Sequence, residues 1–388
     1  MSIFAQRVET FGTTIFTEIN VLAQQYNALN LGQGKPDFDT PADIVAELVK
    51  AAQSGQLNQY APGPGVASLR QAVANHAARF YGLNIDPDQG VIVTAGATEG
   101  LLSCVLGLVN PGDEVIVIEP FYDSYVPNIL MAGATPVFVP LHPPTWTFDP
   151  AELRAAFSSR TKALILNSPH NPTGRVFTRE ELSLIADLCI EHDVLVINDE
   201  VYEHLTLGDA HYVPIATLPG MFERTVTVSS SGKTFSATGW KIGWAYGHPA
   251  VLEGVARAHQ FTIFAVHHPT QEAVAYALNQ SDHYYDEFRS MYEGKMRLLM
   301  DALDGSGLKY RAPEGTYFIM ADFSDVFKGM PRDFTHHLIK EIGVACIPPE
   351  SMYSRDHVHI GRDYVRFSFC KSDEALLQAK KLLGKLRA

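Results

Sequence analysis

The sequence predicts an α/β protein built around a mostly parallel sheet. Three observations carry that expectation. Between about residues 90 and 250, short runs of Val, Ile and Leu alternate with amphipathic stretches. Four of those runs are followed at once by a polar or glycine-rich segment, as expected where the strands of an open sheet end at a ligand crevice. The chain ends follow a different rhythm, which predicts a second, smaller unit built from both termini.

Taken in order, residues 1–30 read as an irregular arm and a helix. Residues 91–94 (VIVT), 115–118 (VIVI), 163–166 (ALIL), 194–197 (VLVI) and 225–228 (TVTV) read as buried strands, being short, apolar and bounded by turn residues. A helix near 98–109 places Leu101, Leu102, Val105, Leu106 and Val109 on one face. Another near 178–192 opens on Thr178 with Glu181 three residues later, the pattern of a capping box. The C-terminal part reads as helix 284–303, strand 315–322, helix 332–342, strand 364–370 and helix 372–387. The expected division is a large domain over 46–283. Residues 1–45 and 284–388 form the arm and a small α+β domain.

Composition limits the function classes. Of 388 residues, 46% are hydrophobic and 19% charged, which excludes disordered, collagen-like and coiled-coil readings. Thirty basic against 43 acidic residues give a net charge of −13, a poor basis for binding nucleic acid. Cys104, Cys189, Cys346 and Cys370 form no CxxC pair, so a zinc ribbon or redox motif is not expected, and such sparse thiols suit a reducing compartment. The N-terminus lacks the form of a secretory signal, and no apolar run is long enough to span a membrane. The expected location is cytoplasmic.

The candidate chemistry sits in the four segments after the strands. Gly96-Ala97-Thr98 puts small residues at a strand-to-helix turn, which suits either a phosphate site, made by free N–H groups and the positive helix end, or a tight structural turn. Asp199 follows a buried strand, with Tyr202 three residues on; the pair suits a carboxylate on a protonated ring nitrogen beside a phenol, or an N-cap with a packed tyrosine. Ser231-Gly232-Lys233-Thr234 is not a P-loop, because Thr227 stands where that motif needs glycine. A lysine among small residues suits a Schiff-base nucleophile or an exposed loop lysine. Lys241 follows Thr238-Gly239-Trp240. Arg366 lies inside the apolar run YVRFSF, so its guanidinium needs an anionic partner: a buried ion pair or a bound carboxylate. Gly32-Gln-Gly34 and Gly63-Pro-Gly65 do not fit a dinucleotide fingerprint. The His267-His268, His336-His337 and His357-Val-His359 pairs lack zincin spacing, so no metal is expected.

Together these residues resemble the class I aminotransferases, fold type I enzymes that use pyridoxal 5′-phosphate. NLGQGKPDF, NQYAPGPG, TAGATEG, EPFYDSY, NSPHNPTG, NDEVYEHL, SSSGKTFSATGWKIGW, PEGTYF and VRFSF occur in the family's order across nearly the whole chain. The chain is most similar to the branch that holds bacterial methionine aminotransferase, kynurenine aminotransferase and glutamine transaminase K. The resemblance implies a large αβα domain with a smaller α+β domain. It implies that Lys233 links the cofactor, Asp199 pairs with its ring nitrogen, and Tyr202 and Asn171 bond its phenolic oxygen. Tyr122 would stack on the ring. Gly96, Ala97, Thr98, Ser230 and Lys241 would hold the phosphate, joined by Tyr60 from a second subunit of a homodimer. Arg366 would bind the substrate α-carboxylate near Gly34 and Asn171, with Phe16 and Phe264 walling the side-chain pocket. Lys241 stands where many members carry arginine, as it does in this branch.

The implied activity is ping-pong transfer of an amino group from a neutral amino acid, such as methionine, glutamine, an aromatic residue or kynurenine, to a 2-oxo acid. A cysteine-conjugate β-lyase is the alternative on the same lysine. A non-catalytic regulator is disfavoured, because such proteins carry a DNA-binding domain for which the start of this chain leaves no room.

Overall fold

The computed structural model describes residues 3–9 and 11–387. Its strands are β1 (Leu29–Asn30), β2 (Val91–Thr94), β3 (Glu114–Glu119), β4 (Thr135–Pro140), β5 (Thr161–Asn167), β6 (Leu195–Asp199), β7 (Thr225–Ser230), β8 (Gly243–Gly247), β9 (Lys309–Tyr310), β10 (Phe318–Asp322), β11 (Val344–Ala345) and β12 (Tyr364–Ser368). Seven of them form the main sheet, in the order β2-β8-β7-β6-β5-β3-β4. Neighbours pair in parallel except at β8, which runs antiparallel to both β7 and β2.

Both faces of this sheet are covered, which is why its strands read as unbroken apolar runs. Ile116, Ile118, Leu164 and Val196 pack one face against Leu182 and Ile185 of the helix Arg179–Glu191. Val115, Val117, Ile165 and Ile197 pack the other against Leu101 and Val105 of the helix Gly96–Leu108. Thr178 and Glu181 make the expected reciprocal capping box.

Two strands of the sheet escape the apolar-run criterion. β4 (TPVFVP) is an edge strand, half-exposed and bounded by prolines. β8 (GWAYG) is framed by glycines. Gly243 there is required by close approach, since a Cβ would lie 2.6 Å from the carbonyl carbon of Gly96 and 2.7 Å from the Ala97 nitrogen.

The second unit is the antiparallel sheet β12-β10-β9, packed with the helices Asp282–Ser306 and Asp373–Leu383 around Phe318, Ile319, Phe323, Phe334, Phe367 and Phe369. β1 pairs in parallel with β11, tying the N-terminal segment to this unit. The helix expected over 284–303 is longer, Asp282–Ser306, while several other elements of this unit are shorter than the sequence suggests. The run 315–322 is strand only from Phe318, because Thr316 sits at φ +60° in a turn. The run 364–370 ends its pairing at Ser368. The helix expected over 332–342 is α-helical over Pro331–His337 and continues as a π-helical turn, Leu338–Ile342. The last helix tightens to a 3-10 turn at Gly384–Arg387. Among the described residues, no helix is long and apolar enough to cross a membrane.

Candidate active site

With β2, β3, β5, β6 and β7 all pointing the same way, the segments after them converge on one edge of the sheet. A cavity of about 230 Å³ opens there. Asn167, Asp199 and Ser230 are the last residues of β5, β6 and β7, and all three line it. Lys233 enters on the single helical turn Ser231–Thr234 that follows β7. Gly34 approaches from the N-terminal segment, so both units of the fold contribute.

The lysine amine is held by a tyrosine. Lys233 Nζ donates to the Tyr317 hydroxyl at 2.9 Å, and that hydroxyl donates to the Gly34 carbonyl at 2.7 Å. The rings of Tyr202 and Tyr317 lie 5.6 and 5.5 Å from Nζ. Burial is the main force on the amine and lowers its pKa from 10.5 to about 8, against the opposing pull of Cys370 and Asp199. A sizeable neutral fraction therefore exists near physiological pH, which is what a proton-carrying or nucleophilic amine needs.

Asp199 faces the same cavity and is buried. Its Oδ2 accepts from the Tyr125 hydroxyl at 2.6 Å and its Oδ1 from the Val201 amide at 3.4 Å. Burial pushes this carboxyl up, opposed by those two donors and by the Lys233 charge. The backbone is framed as well: Asn167 Nδ2 donates to the Asp199 carbonyl at 2.8 Å, and Asn167 Oδ1 accepts from the Asn171 amide at 2.8 Å.

An anion cup lies at the start of the helix Gly96–Leu108. Gly96 has φ +73°, and a Cβ there would sit 3.3 Å from Lys241 Nζ, in the space the cup needs. Lys241 itself adopts φ +54°, and its Nζ donates to Thr98 Oγ1 at 3.4 Å. A cation, open helix N–H groups and the helix dipole thus meet at one point.

Arg366 is 2% exposed, yet among the described residues it makes no ion pair. Its Nη1 donates to Asn171 Oδ1 and its Nη2 to the Gly32 carbonyl, both at 2.9 Å, while Nε has no partner. Phe318 covers the guanidinium at 4.0 Å and Phe16 stands 5.2 Å away. Burial lowers its pKa to about 10, which leaves it charged at neutral pH. Of the two readings open from sequence, a buried ion pair is therefore absent, and a guanidinium poised for an outside carboxylate remains.

Gly34, Gly96, Ala97, Thr98, Tyr122, Asn171, Asp199, Tyr202, Ser230, Lys233 and Lys241 all line the cavity, and Arg366 joins it through Asn171. Phe16, Tyr60 and Phe264 do not. Phe16 lies against Arg366 instead, and Tyr60 and Phe264 form an edge-to-face pair at 5.5 Å on the surface, 84% and 50% exposed. Sequence reasoning gave no role to Tyr317, Tyr125 or Asn167. All three lie in quoted motifs, but only the fold brings Tyr317 to Lys233.

Behind Asp199 lies a buried acidic network. Glu200 accepts from the hydroxyls of Tyr212 and Tyr246, and Glu203 from Tyr81 and from Ser229 at 2.9 Å. The Nε2 atoms of His76 and His204 are hydrogen-bonded at 2.7 Å. Both rings are held far below the usual histidine range, mainly by burial. With Glu203 they bring three ligand-type atoms within 4.8 Å of one another, each already hydrogen-bonded to protein.

Residues 26–381 match the family described as aminotransferase class I and II. The chain is 40% identical to kynurenine–oxoglutarate transaminase of Dictyostelium discoideum, over 99% of this chain and 96% of the relative. It superposes with a TM-score of 0.95 on N-succinyldiaminopimelate aminotransferase from Mycobacterium tuberculosis, at 42% identity over 99% of this chain and 100% of the other. An Escherichia coli protein with a methionine aminotransferase function matches with a TM-score of 0.95, at 37% identity over 99% and 100% of the two chains.

Proposed function

The chain belongs to the class I and II aminotransferases, and we propose that it transfers the amino group of a neutral amino acid to a 2-oxo acid with pyridoxal 5′-phosphate bound at Lys233. The family implies dependence on this cofactor, and the donor set suits it. The cup at Gly96, Ala97, Thr98, Ser230 and Lys241 would take the phosphate. Asp199 would face the ring nitrogen, Asn171 and Tyr202 the phenolic oxygen, and Tyr122 the ring face. Bound there, the cofactor supplies an electron sink for the pair left when a substrate Cα loses its proton.

The residues of the chain do the rest. Arg366 holds the substrate carboxylate and so fixes the Cα–H bond over the pocket; its unpartnered Nε and its missing ion-pair partner are the observation that carries this reading. Lys233 Nζ, once free and neutral, takes the Cα proton and returns it elsewhere on the bound molecule. Its lowered pKa makes the same amine both a fair base and a fair acid. Tyr317 keeps that amine in place between the two transfers. Burial of Asp199 in a water-poor pocket strengthens its grip on a protonated ring nitrogen.

The substrate class follows from what surrounds the carboxylate site. Among the described residues, no second arginine lines the cavity to receive an acidic side chain. Phe16 and Tyr122, with Phe264 and Tyr60 from a second subunit, would wall a pocket for an elongated neutral side chain. The exposure of Tyr60 and Phe264 supports a homodimer that covers them.

The test is a panel assay with one 2-oxo acid acceptor and methionine, glutamine, phenylalanine, kynurenine or aspartate as donor. Neutral donors should have the higher kcat/KM. Preference for aspartate would overturn the substrate class, and no transfer from any donor would overturn the assignment.

A further inference from the structure

The fourth residue of the cup helix is a buried acid that the reaction does not use. Glu99 is 8% exposed. Its Oε2 accepts from the Ala95 amide at 3.0 Å, just before the phosphate turn, and its Oε1 from Ser103 Oγ at 2.5 Å and Thr262 Oγ1 at 3.3 Å. His259, 2% exposed, puts Nδ1 at 3.0 and 3.2 Å from the two carboxylate oxygens. The other ring nitrogen, Nε2, faces the Gly63 carbonyl at 3.2 Å. The ring thus bridges the Glu99 carboxylate and the Gly63 carbonyl.

Held by His259, Ser103 and Thr262, the Glu99 carboxylate braces the Ala95 amide at the entry to the phosphate turn. Burial pushes the Glu99 carboxyl up, but the hydrogen bonds and charge of His259 and the Ser103 hydroxyl outweigh it and keep it ionised.

His259 also reaches the other way. The Gly63 carbonyl it holds lies three residues from Tyr60. The His259 carbonyl accepts from the Ile263 and Phe264 amides at 3.1 and 3.2 Å, at the end of the helix Pro249–Thr262. His259 therefore touches Glu99 beneath the phosphate turn and Gly63 of the Tyr60 loop through its side chain, and the Phe264 turn through its backbone carbonyl; Tyr60 and Phe264 form the exposed aromatic patch.

We propose that His259, paired with Glu99, is a positioning residue that couples filling of the phosphate cup to docking of a second copy of this chain on the Tyr60–Phe264 surface. This rests on the dimer and cofactor reading above. Coupling of this kind is reciprocal: an anion in the cup tightens the dimer, and the dimer tightens the anion by the same factor.

The experiment is sedimentation equilibrium of the cofactor-free chain, with and without saturating inorganic phosphate, and of the pyridoxal-phosphate-loaded enzyme. The wild-type dimer should tighten at least about fivefold on adding phosphate. In His259→Phe that ratio should fall well below the wild-type value, and His259→Gln, which still donates at one end, should recover part of it. Glu99→Gln reports on the same coupling from the other side and serves if His259→Phe does not fold. A purely structural role would weaken the dimer equally with and without phosphate and leave the ratio at its wild-type value, which would overturn the proposal. A wild-type chain that is monomeric at every concentration would overturn the dimer reading itself.

Discussion

Lys233→Met should make the cofactor-free chain more stable at neutral pH. Burial holds the folded amine at about 8 against its ordinary 10.5. At about 1.36 kcal/mol per pH unit, that difference costs the folded state about 3 kcal/mol wherever both states are protonated. Two effects offset part of the gain. Methionine loses the hydrogen bond to Tyr317, worth about 1 kcal/mol. It also removes a positive charge that helps keep the Asp199 carboxyl down. The net gain at pH 7 should be about 1–2 kcal/mol. For a chain this long that is about 1–3 °C in Tm. The sign with pH is fixed. Above about pH 8 the folded amine has released its proton while the unfolded one still holds it, so wild-type stability rises towards that of the variant. By pH 10.5 the advantage should be gone. Thermal melts of both cofactor-free chains across this range are the assay. A variant equally or less stable at pH 7, or an advantage that persists at high pH, would refute the reasoning.

Three further outcomes follow from the same geometry. Arg366→Lys loses the planar fork that bonds Asn171 and Gly32, and KM for both amino and oxo acids should rise about 10–100-fold while kcat falls less; steady-state kinetics with each substrate varied checks this. Gly34→Ala places a Cβ 2.6 Å from Phe318 Cζ and 3.0 Å from Tyr317 Cε2, so the rings must shift. It should lose about 1–3 kcal/mol in denaturant titration and lower kcat by loosening Lys233. Tyr125→Phe removes the 2.6 Å donor from buried Asp199 and should cost about 1.5–3 kcal/mol of stability, read by urea unfolding.

What the sequence discloses depends on how each element is buried. β3, β5, β6 and β7 are covered on both faces and are plain as apolar runs. β4 and β8 are not, one being a half-exposed edge and the other framed by glycines. The helices Ala67–Tyr81 and His268–Leu278 leave only a faint periodic signal, because much of their buried face is alanine: Ala72, Ala74 and Ala77, and Ala273, Ala275 and Ala277. The site was legible where chemistry sits at strand ends, as at Asp199, Ser230 and Lys233. It was not legible where a role depends on a distant segment. Tyr317 meets Lys233 across 84 residues, and His259 meets Glu99 across 160. No local spacing encodes either contact.

The most direct test of the central claim is to find the lysine that carries the cofactor. The enzyme loaded with pyridoxal phosphate would be reduced with borohydride, digested and mapped by mass spectrometry, with and without prior addition of excess methionine. The account predicts a cofactor-modified peptide containing Lys233, strongly diminished when methionine has displaced the lysine first. Modification at another lysine such as Lys241, or none at all, would contradict it.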